Sequence, residues 1–337
     1  MVAFPLNLID RASSRIGRPF DPSTSLAPPH GPRSSWVHYG VMVPGLPAPH
    51  RTFGVMAIVG TPGVAIFAND QGITTSPRDT AYLVSATSAM SADTFHTYSI
   101  ERECAFADDG SSLRFGDDLL IEGTYPNFDL TRRHPGGDVV LRIAATDKVS
   151  HFIDLRGGLY SHWSLLCEYE GTVAGEAASG LCTFEYARGV GMHALPSPIH
   201  PSIPARFFTY HVLNVDDSTQ ILFTEVHGPG GIVIARSTYV RGLDDHGSAY
   251  PDSTFAVTKY DDISLPTPSG RRMRMPSQFT LATRDKAGQP LLELEGNPHS
   301  DWAYGLGAGF VGSYQFDGTF AGKPISGTGY IEYIDLA

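Results

Sequence analysis

Apolar, aromatic and β-branched residues fall along this chain in short runs separated by Gly, Pro, Asn and Asp, and few windows carry the repeat of an amphipathic helix. Residues 55–59 and 64–67 flank Gly60-Thr-Pro-Gly63 and read as a hairpin. Runs at 97–100, 112–115, 119–122 and 139–144 follow at the spacing of an up-and-down meander. The pattern breaks at Leu195-Pro-Ser-Pro-Ile-His-Pro-Ser-Ile-Pro204, where four prolines in ten residues exclude a central strand and predict a stiff linker. Runs resume at 207–213, 220–226, 232–240, 279–282 and 291–294, and the chain nears its end on Gly327-Thr-Gly-Tyr-Ile-Glu-Tyr333, which reads as a last strand. The expectation is an all-β protein of two tandem antiparallel β-barrels. An irregular Pro- and Ser-rich arm over 1–34 precedes a first β domain at 35–194, a linker at 195–204 and a second β domain at 205–337.

Composition supports that reading. The 337 residues include 36 Gly, 25 Pro, 18 Phe and 15 Tyr with only 18% charged residues, a balance that suits turns and half-buried pleated surfaces. A net charge of -11 argues against nucleic acid and against an anionic membrane surface. The one basic cluster, Arg271-Arg272-Met-Arg274, reads as charge on a strand edge. Cys104, Cys167 and Cys182 are too few and too odd in number for a disulfide-stapled domain, so free thiols are expected, with Cys167 and Cys182 close on paired strands. The N-terminus lacks the basic start and apolar stretch of a signal peptide, and no run of about 18 apolar residues predicts a membrane span. A cytoplasmic location follows as an expectation.

Two stretches carry a family resemblance. Leu159-Tyr-Ser-His-Trp-Ser-Leu-Leu-Cys-Glu-Tyr-Glu-Gly171, followed by Ala178-Ser-Gly-Leu-Cys-Thr-Phe-Glu-Tyr186, resembles the carotenoid hydratase (hydroxyneurosporene synthase)-like family. Phe207-Phe-Thr-Tyr-His-Val-Leu-Asn-Val-Asp-Asp217 resembles the opening of that family's C-terminal domain, and Ile325-Ser-Gly-Thr-Gly-Tyr-Ile-Glu332 its closing motif. The resemblance implies two lipocalin-like barrels, a hydrophobic small-molecule partner and chemistry without a cofactor. Where the family has an Asp-His-Glu-Trp-type cluster, this chain reads Thr183-Phe-Glu-Tyr-Ala187 and keeps only the acid of Glu185.

Protonating an unactivated alkene takes a strong proton donor beside aromatic groups that stabilise the cation. A carboxyl group in an apolar pocket keeps its proton and can serve. Glu185 is the candidate acid. If the hairpin pairs symmetrically about Ala174-Gly175, Ser164 lies opposite Glu185 and Trp163 opposite Tyr186. Period-two alternation then gathers Tyr160, His162, Ser164, Thr183 and Glu185 on one face. Glu185, His162 and Tyr160 are the catalytic candidates. Trp163, Tyr186, Phe184, His38, His211 and Glu225 are the substrate-binding candidates, and Trp36 reads as a structural plug. The same face seen from solvent, or Glu185 paired with Arg188, is the plainer alternative, as is a core role for His211 and Glu225.

Other patterns point away from common chemistries. Thirteen histidines show no His-x-His backed by an acid and no His-Glu-x-x-His, so no metal site is expected, and His96 with Tyr98 and His151 with Asp154 suggest nothing firmer. Gly307-Ala-Gly-Phe-Val-Gly312 spells the dinucleotide fingerprint without its strand, helix or later acid, and reads as a turn. Tyr330 and Glu332 share a face and are expected to seal the second barrel. The functional expectation is a cofactor-independent hydratase/dehydratase, isomerase or cyclase acting on an apolar isoprenoid-, steroid- or polyketide-like molecule at the domain junction. A non-catalytic carrier of a similar ligand is the alternative.

Overall fold

A computed structural model describes residues 10–29, 34–73, 75–191 and 204–336. Its all-β architecture has 61% strand and 6% helix. The first sheet comprises β1 (Trp36–Val43), β2 (Phe53–Val59), β3 (Thr80–Thr87), β4 (Phe95–Ser99), β5 (Cys104–Phe106), β6 (Ser112–Phe115), β7 (Leu119–Thr124), β8 (Asn127–Arg132), β9 (Val139–Asp154), β10 (Tyr160–Val173) and β11 (Glu176–Gly189). Its eleven strands run β4-β3-β2-β1-β11-β10-β9-β8-β7-β6-β5, a meander joined through the first and last long strands.

The second half comprises β12 (Phe207–Asn214), β13 (Thr219–His227), β14 (Val233–Gly242), β15 (Asp245–Tyr250), β16 (Ser253–Tyr260), β17 (Leu265–Pro266), β18 (Arg272–Met273), β19 (Pro276–Arg284), β20 (Pro290–Pro298), β21 (Ala303–Leu306), β22 (Gly309–Phe320) and β23 (Lys323–Asp335). β15-β14-β13-β12-β23-β22-β20-β19-β16 form its sheet, with β21 paired to β22 and with β17–β18 apart as a small ribbon. One sheet closes nearly into a barrel and the other curves as a half-barrel. The expected linker lies almost wholly outside the described residues.

Among the described residues, alternation of side chains along each strand produces three cores. One fills the first sheet and includes Val37, Tyr39, Trp163, Phe184 and Tyr186. Another fills the second and includes Phe223, Phe279, Tyr314 and Ile331. The third lies between the sheets and draws Met42, Met56 and Ile58 from the first half, Tyr210, Tyr239 and Tyr330 from the second. The described part of the N-terminal arm covers the first core. Phe20 packs on Trp163 and on Tyr125 with ring centroids 4.9 Å apart. Tyr39 and Tyr186 each donate a hydroxyl hydrogen bond at 2.8 Å, to the carbonyls of Leu26 and Ala27.

Residues 64–67 depart from expectation. β2 pairs with β1 and β3, and Ala65–Phe67 is a short 3-10 turn. Ile66 is buried in the core between the sheets, and its carbonyl accepts a bond from Ala308 N at 2.9 Å, so docking onto the other half wins over hairpin pairing. The remaining motifs resolve simply. Gly307 has φ +47 in the turn between β21 and β22. Arg272 sits in the small ribbon, and Arg274 lies 4.5 Å over the Tyr260 ring. Cys167 and Cys182 face each other across β10 and β11 as free, buried thiols. His96 and Tyr98 both bond Asp118, tying β4 to the turn between β6 and β7.

Candidate functional site

The hairpin of β10 and β11 turns on Ala174 and Gly175, both at positive φ (51 and 86), so the ladder pairs symmetrically about them. Ser164 therefore lies opposite Glu185 and Trp163 opposite Tyr186, the register read from the sequence. Tyr160, His162, Ser164, Thr183 and Glu185 share the face that looks toward the second sheet. β1 extends that face on the other flank of β11, pairing His38 with Ala187 and Gly40 with Glu185. Gly40 matters for what it lacks, because a Cβ there would sit 2.9 Å from His38 Nε2. The empty position lets the His38 ring lie beside Glu185.

Glu185 is 1% exposed and is the centre of the cluster. Its Oε2 lies 3.4 Å from His162 Nε2 and 4.0 Å from His38 Nε2. Its Oε1 accepts a 2.5 Å hydrogen bond from the hydroxyl of Tyr210, on β12 of the second sheet. His38 Nδ1 lies 3.1 Å from the Ala57 carbonyl, and since a carbonyl only accepts, that nitrogen carries the proton. Tyr160 Oη lies 3.5 Å from His162 Nδ1. Phe152 packs edge-on against His162 (4.8 Å), Tyr210 (5.6 Å) and Tyr239 (5.2 Å), giving the cluster an aromatic wall.

A second acid closes the arrangement. Glu332 on β23 is 2% exposed and stands opposite Tyr210 in the ladder. Tyr330 Oη donates to its Oε1 at 3.0 Å. Tyr330 fits against β2 because residue 54 is glycine, where a Cβ would come within 2.7 Å of the Tyr330 ring. Tyr330 and Glu332 thus face the junction and belong to its polar cluster, correcting the expectation that they only seal the second barrel.

The two carboxyls are driven in opposite directions. Burial raises the Glu185 carboxyl, but the hydrogen bond from His162 Nε2 outweighs it and holds the carboxyl well below the usual carboxylate range. Glu332 has no such partners. Burial and then the neighbouring Glu185 charge push it well above the carboxylate range, so it keeps its proton. The sequence expectation of a protonated Glu185 is thereby reversed, since its histidine partners, not its apolar neighbours, decide its charge. Burial also lowers His162, against the opposing pull of Glu185.

Trp163, Tyr186 and Phe184 sit on the other face of the hairpin, away from the Glu185 cluster. Phe184 stacks on Phe128 at 4.2 Å and Trp163 lies 5.7 Å from Tyr186, all in the core of the first sheet. His211 and Glu225 are also turned away, because alternation along β12 sends Tyr210 to the junction and His211 into the second sheet's core. His211 lies among Phe223, Phe255, Phe279 and Tyr314, and Glu225 is clamped by Arg236 (2.5 and 3.1 Å) and by His227. Tyr210, Phe152, Tyr330 and Glu332 were missed. The closing motif did signal the last two, but nothing in the sequence tied that strand to Glu185.

Among the described residues, one group of side chains brings together donors of the kind that hold a metal: His38, His162 and Glu185, with ligand atoms all within 4.8 Å of one another. No helix among the described residues is long and apolar enough to cross a membrane.

Comparison with known proteins gives a family and a fold. The model of a family described as "Family of unknown function (DUF6670)" matches residues 56–337. No curated protein matches the sequence. A solved structure of kievitone hydratase from Nectria haematococca is similar over 96% of this chain and 95% of its own, with TM-score 0.56 and 13% identity. A solved structure titled as an AttH from Nitrosomonas europaea is similar over 95% of this chain and 99% of its own, with TM-score 0.59 and 11% identity. These likenesses support the lipocalin-like fold; neither neighbour is a carotenoid hydratase by its title.

Proposed function

The chain belongs to the family of unknown function DUF6670, and on that premise we propose that it is an acid/base enzyme of the hydratase/dehydratase, isomerase or cyclase type, acting at the junction of its two sheets. The observation that carries this reading is a pair of buried carboxyls at one junction, Glu185 bonded by Tyr210 and Glu332 by Tyr330, whose surroundings push the first down and the second up. Two titratable groups whose surroundings drive them apart supply an acid and a base at one junction. A hydrated or folded core without function has little reason to keep two acids there, because each costs free energy unless it is partnered.

For a hydration, Glu332 gives its proton to one alkene carbon. The cation left on the other carbon is faced by Phe152, Tyr210 and Tyr239, water adds to it, and the proton that water loses goes to the Glu185 carboxylate. Alkene and water become alcohol, and the exchange of protons returns through Tyr210 and the histidines. The reverse sequence is dehydration, and proton transfer without water is isomerisation or cyclisation. His162, with 20% of its side chain exposed, marks the side nearest solvent. An apolar isoprenoid-, steroid- or polyketide-like substrate suits the aromatic wall, and the fold neighbour named as kievitone hydratase is by its name a hydratase.

The test is incubation of purified protein with a panel of terpenoid and polyene alcohols, with products followed by mass spectrometry. Turnover that falls at least 100-fold in Glu185→Gln and Glu332→Gln, with ligand binding retained, is the expected result. Binding with no turnover in the wild type would replace the enzyme with the carrier.

A further inference from the structure

We infer that His38, His162 and Glu185 form a binding site for a borderline divalent cation of the Zn2+ class, and that occupancy silences Glu185 as a base. The inference rests on the acid/base reading of this junction only for its second half. Binding itself stands on geometry.

Three features support it. The first is direction. His38 Nδ1 is committed to the Ala57 carbonyl at 3.1 Å, so in the neutral ring Nε2 presents a bare lone pair toward Glu185 Oε2, 4.0 Å away. Two acceptors facing each other across that gap are mismatched, and a cation between them removes the mismatch. The second is spacing. In a tetrahedral site with bonds of about 2.0–2.1 Å, ligand atoms stand about 3.4 Å apart. His162 Nε2 and Glu185 Oε2 are separated by 3.4 Å, and all three ligand atoms lie within 4.8 Å, so only His38 must close in.

The third feature is the surrounding support that ligating side chains need. The His38 ring is oriented by a backbone carbonyl, the other Glu185 oxygen by Tyr210 Oη at 2.5 Å, and Tyr160 Oη stands 3.5 Å from His162 Nδ1. Two imidazoles and one carboxylate suit Zn2+, Co2+, Ni2+ or Fe2+ and not the oxygen-seeking Mg2+ or Ca2+. Three protein ligands leave a fourth position for water or a ligand hydroxyl. A bound cation engages the Glu185 and histidine lone pairs that would otherwise accept a proton, so metal and proton transfer compete for the same atoms.

The experiment uses the full chain freed of metal by a chelator and titrated with ZnCl2 and, separately, MgCl2, followed by calorimetry and by thermal unfolding. CoCl2 adds a spectroscopic readout, since a four-coordinate site gives intense visible absorption. One Zn2+ per chain, a rise in unfolding temperature, no response to Mg2+, and affinity weakened at least tenfold in His38→Gln and in His162→Gln are expected. Cys104→Ser and, separately, Cys167→Ser must leave the affinity unchanged, which excludes a thiol site at Cys104 or at the facing pair of Cys167 and Cys182. Absence of Zn2+ binding to a folded wild type, or binding unaltered in both histidine variants, overturns the site and leaves a proton shared by the three residues as its content. Binding that leaves turnover intact overturns the silencing. A metal-free protein with no turnover rejects the acid/base reading while the binding result stands on its own.

Discussion

Gly40 faces Glu185 across the ladder of β1 and β11, and its missing side chain is as specific a requirement as either histidine. A Cβ there would lie 2.9 Å from His38 Nε2 and 3.1 Å from Met42 Cε, both on the junction face. Since the backbone on either side is held by two neighbouring strands, the His38 ring must yield. Gly40→Ala is therefore expected to cost about 1–3 kcal/mol of stability by overpacking. It should also lower turnover at least tenfold, and chemical denaturation alongside a product assay separates the two effects. Full activity in a folded Gly40→Ala protein would show that the His38 position is immaterial. The sequence shows a glycine in a strand and no more. Its role depends on His38 and Met42 sharing its face and on Glu185 arriving from a strand far along the chain.

Arg241 does for the elements what Gly40 does for the residues. It lies on β14, is 1% exposed, and reaches across to β10, where its guanidinium donates to the Ser164 carbonyl (2.6 Å), Ser164 Oγ (3.1 Å) and the Leu165 carbonyl (3.0 Å). Gln220 Oε1 on β13 accepts another bond at 2.7 Å. All these partners are neutral. Burial lowers the Arg241 guanidinium, and the potentials of Tyr210, Cys167 and Glu185 resist that shift, so the ionised Glu185 is part of what makes a buried arginine tolerable. Arg241→Met would strand two buried carbonyls and a glutamine, at a cost of about 2–5 kcal/mol. Urea denaturation of the full chain reads the loss, and a cost under about 0.5 kcal/mol would mean that water replaces the guanidinium freely. At this scale the sequence was informative where order is local. The register of β10 with β11 followed from period-two alternation around one tight turn. It was uninformative about sidedness, because which face is core depends on the arm under Trp163 and on the second sheet over His162. It misread residues 64–67 for the same reason, since an apolar run does not say whether it pairs beside its neighbour or docks on a distant half.

The molecule as a whole is two β halves with a shared third core, and its buried histidines give that arrangement a pH dependence. Burial lowers His211 to about 3 and His151 to about 4, and lowers His162 and His299 as well. Each is neutral when folded but takes a proton near pH 6.5 when unfolded, so each contributes stability that is complete above about pH 6.5 and is lost as pH falls toward its folded value. Glu332 acts in the opposite sense. Its raised folded pKa means that stability grows as pH falls from there toward the unfolded value of 4.5. Glu185, held low, loses its contribution only below about pH 4.5, as pH falls through its folded value. Four histidine terms against one carboxyl term between pH 6.5 and 4.5 leave a net decline toward acid. His211 isolates one term. Its Nε2 bonds Thr209 Oγ1 at 2.9 Å, its Nδ1 has no partner, and its ring lies among aromatic neighbours that would also accept a phenyl group. In His211→Phe the fall in unfolding free energy between pH 6.5 and about 4 should become shallower by about 1.4 kcal/mol per pH unit, with the slope above pH 7 unchanged. Denaturant titrations of both proteins across that range measure it. Equal slopes would mean that His211 gains its proton without unfolding, and that the second sheet's core admits water to a side chain that the packing encloses.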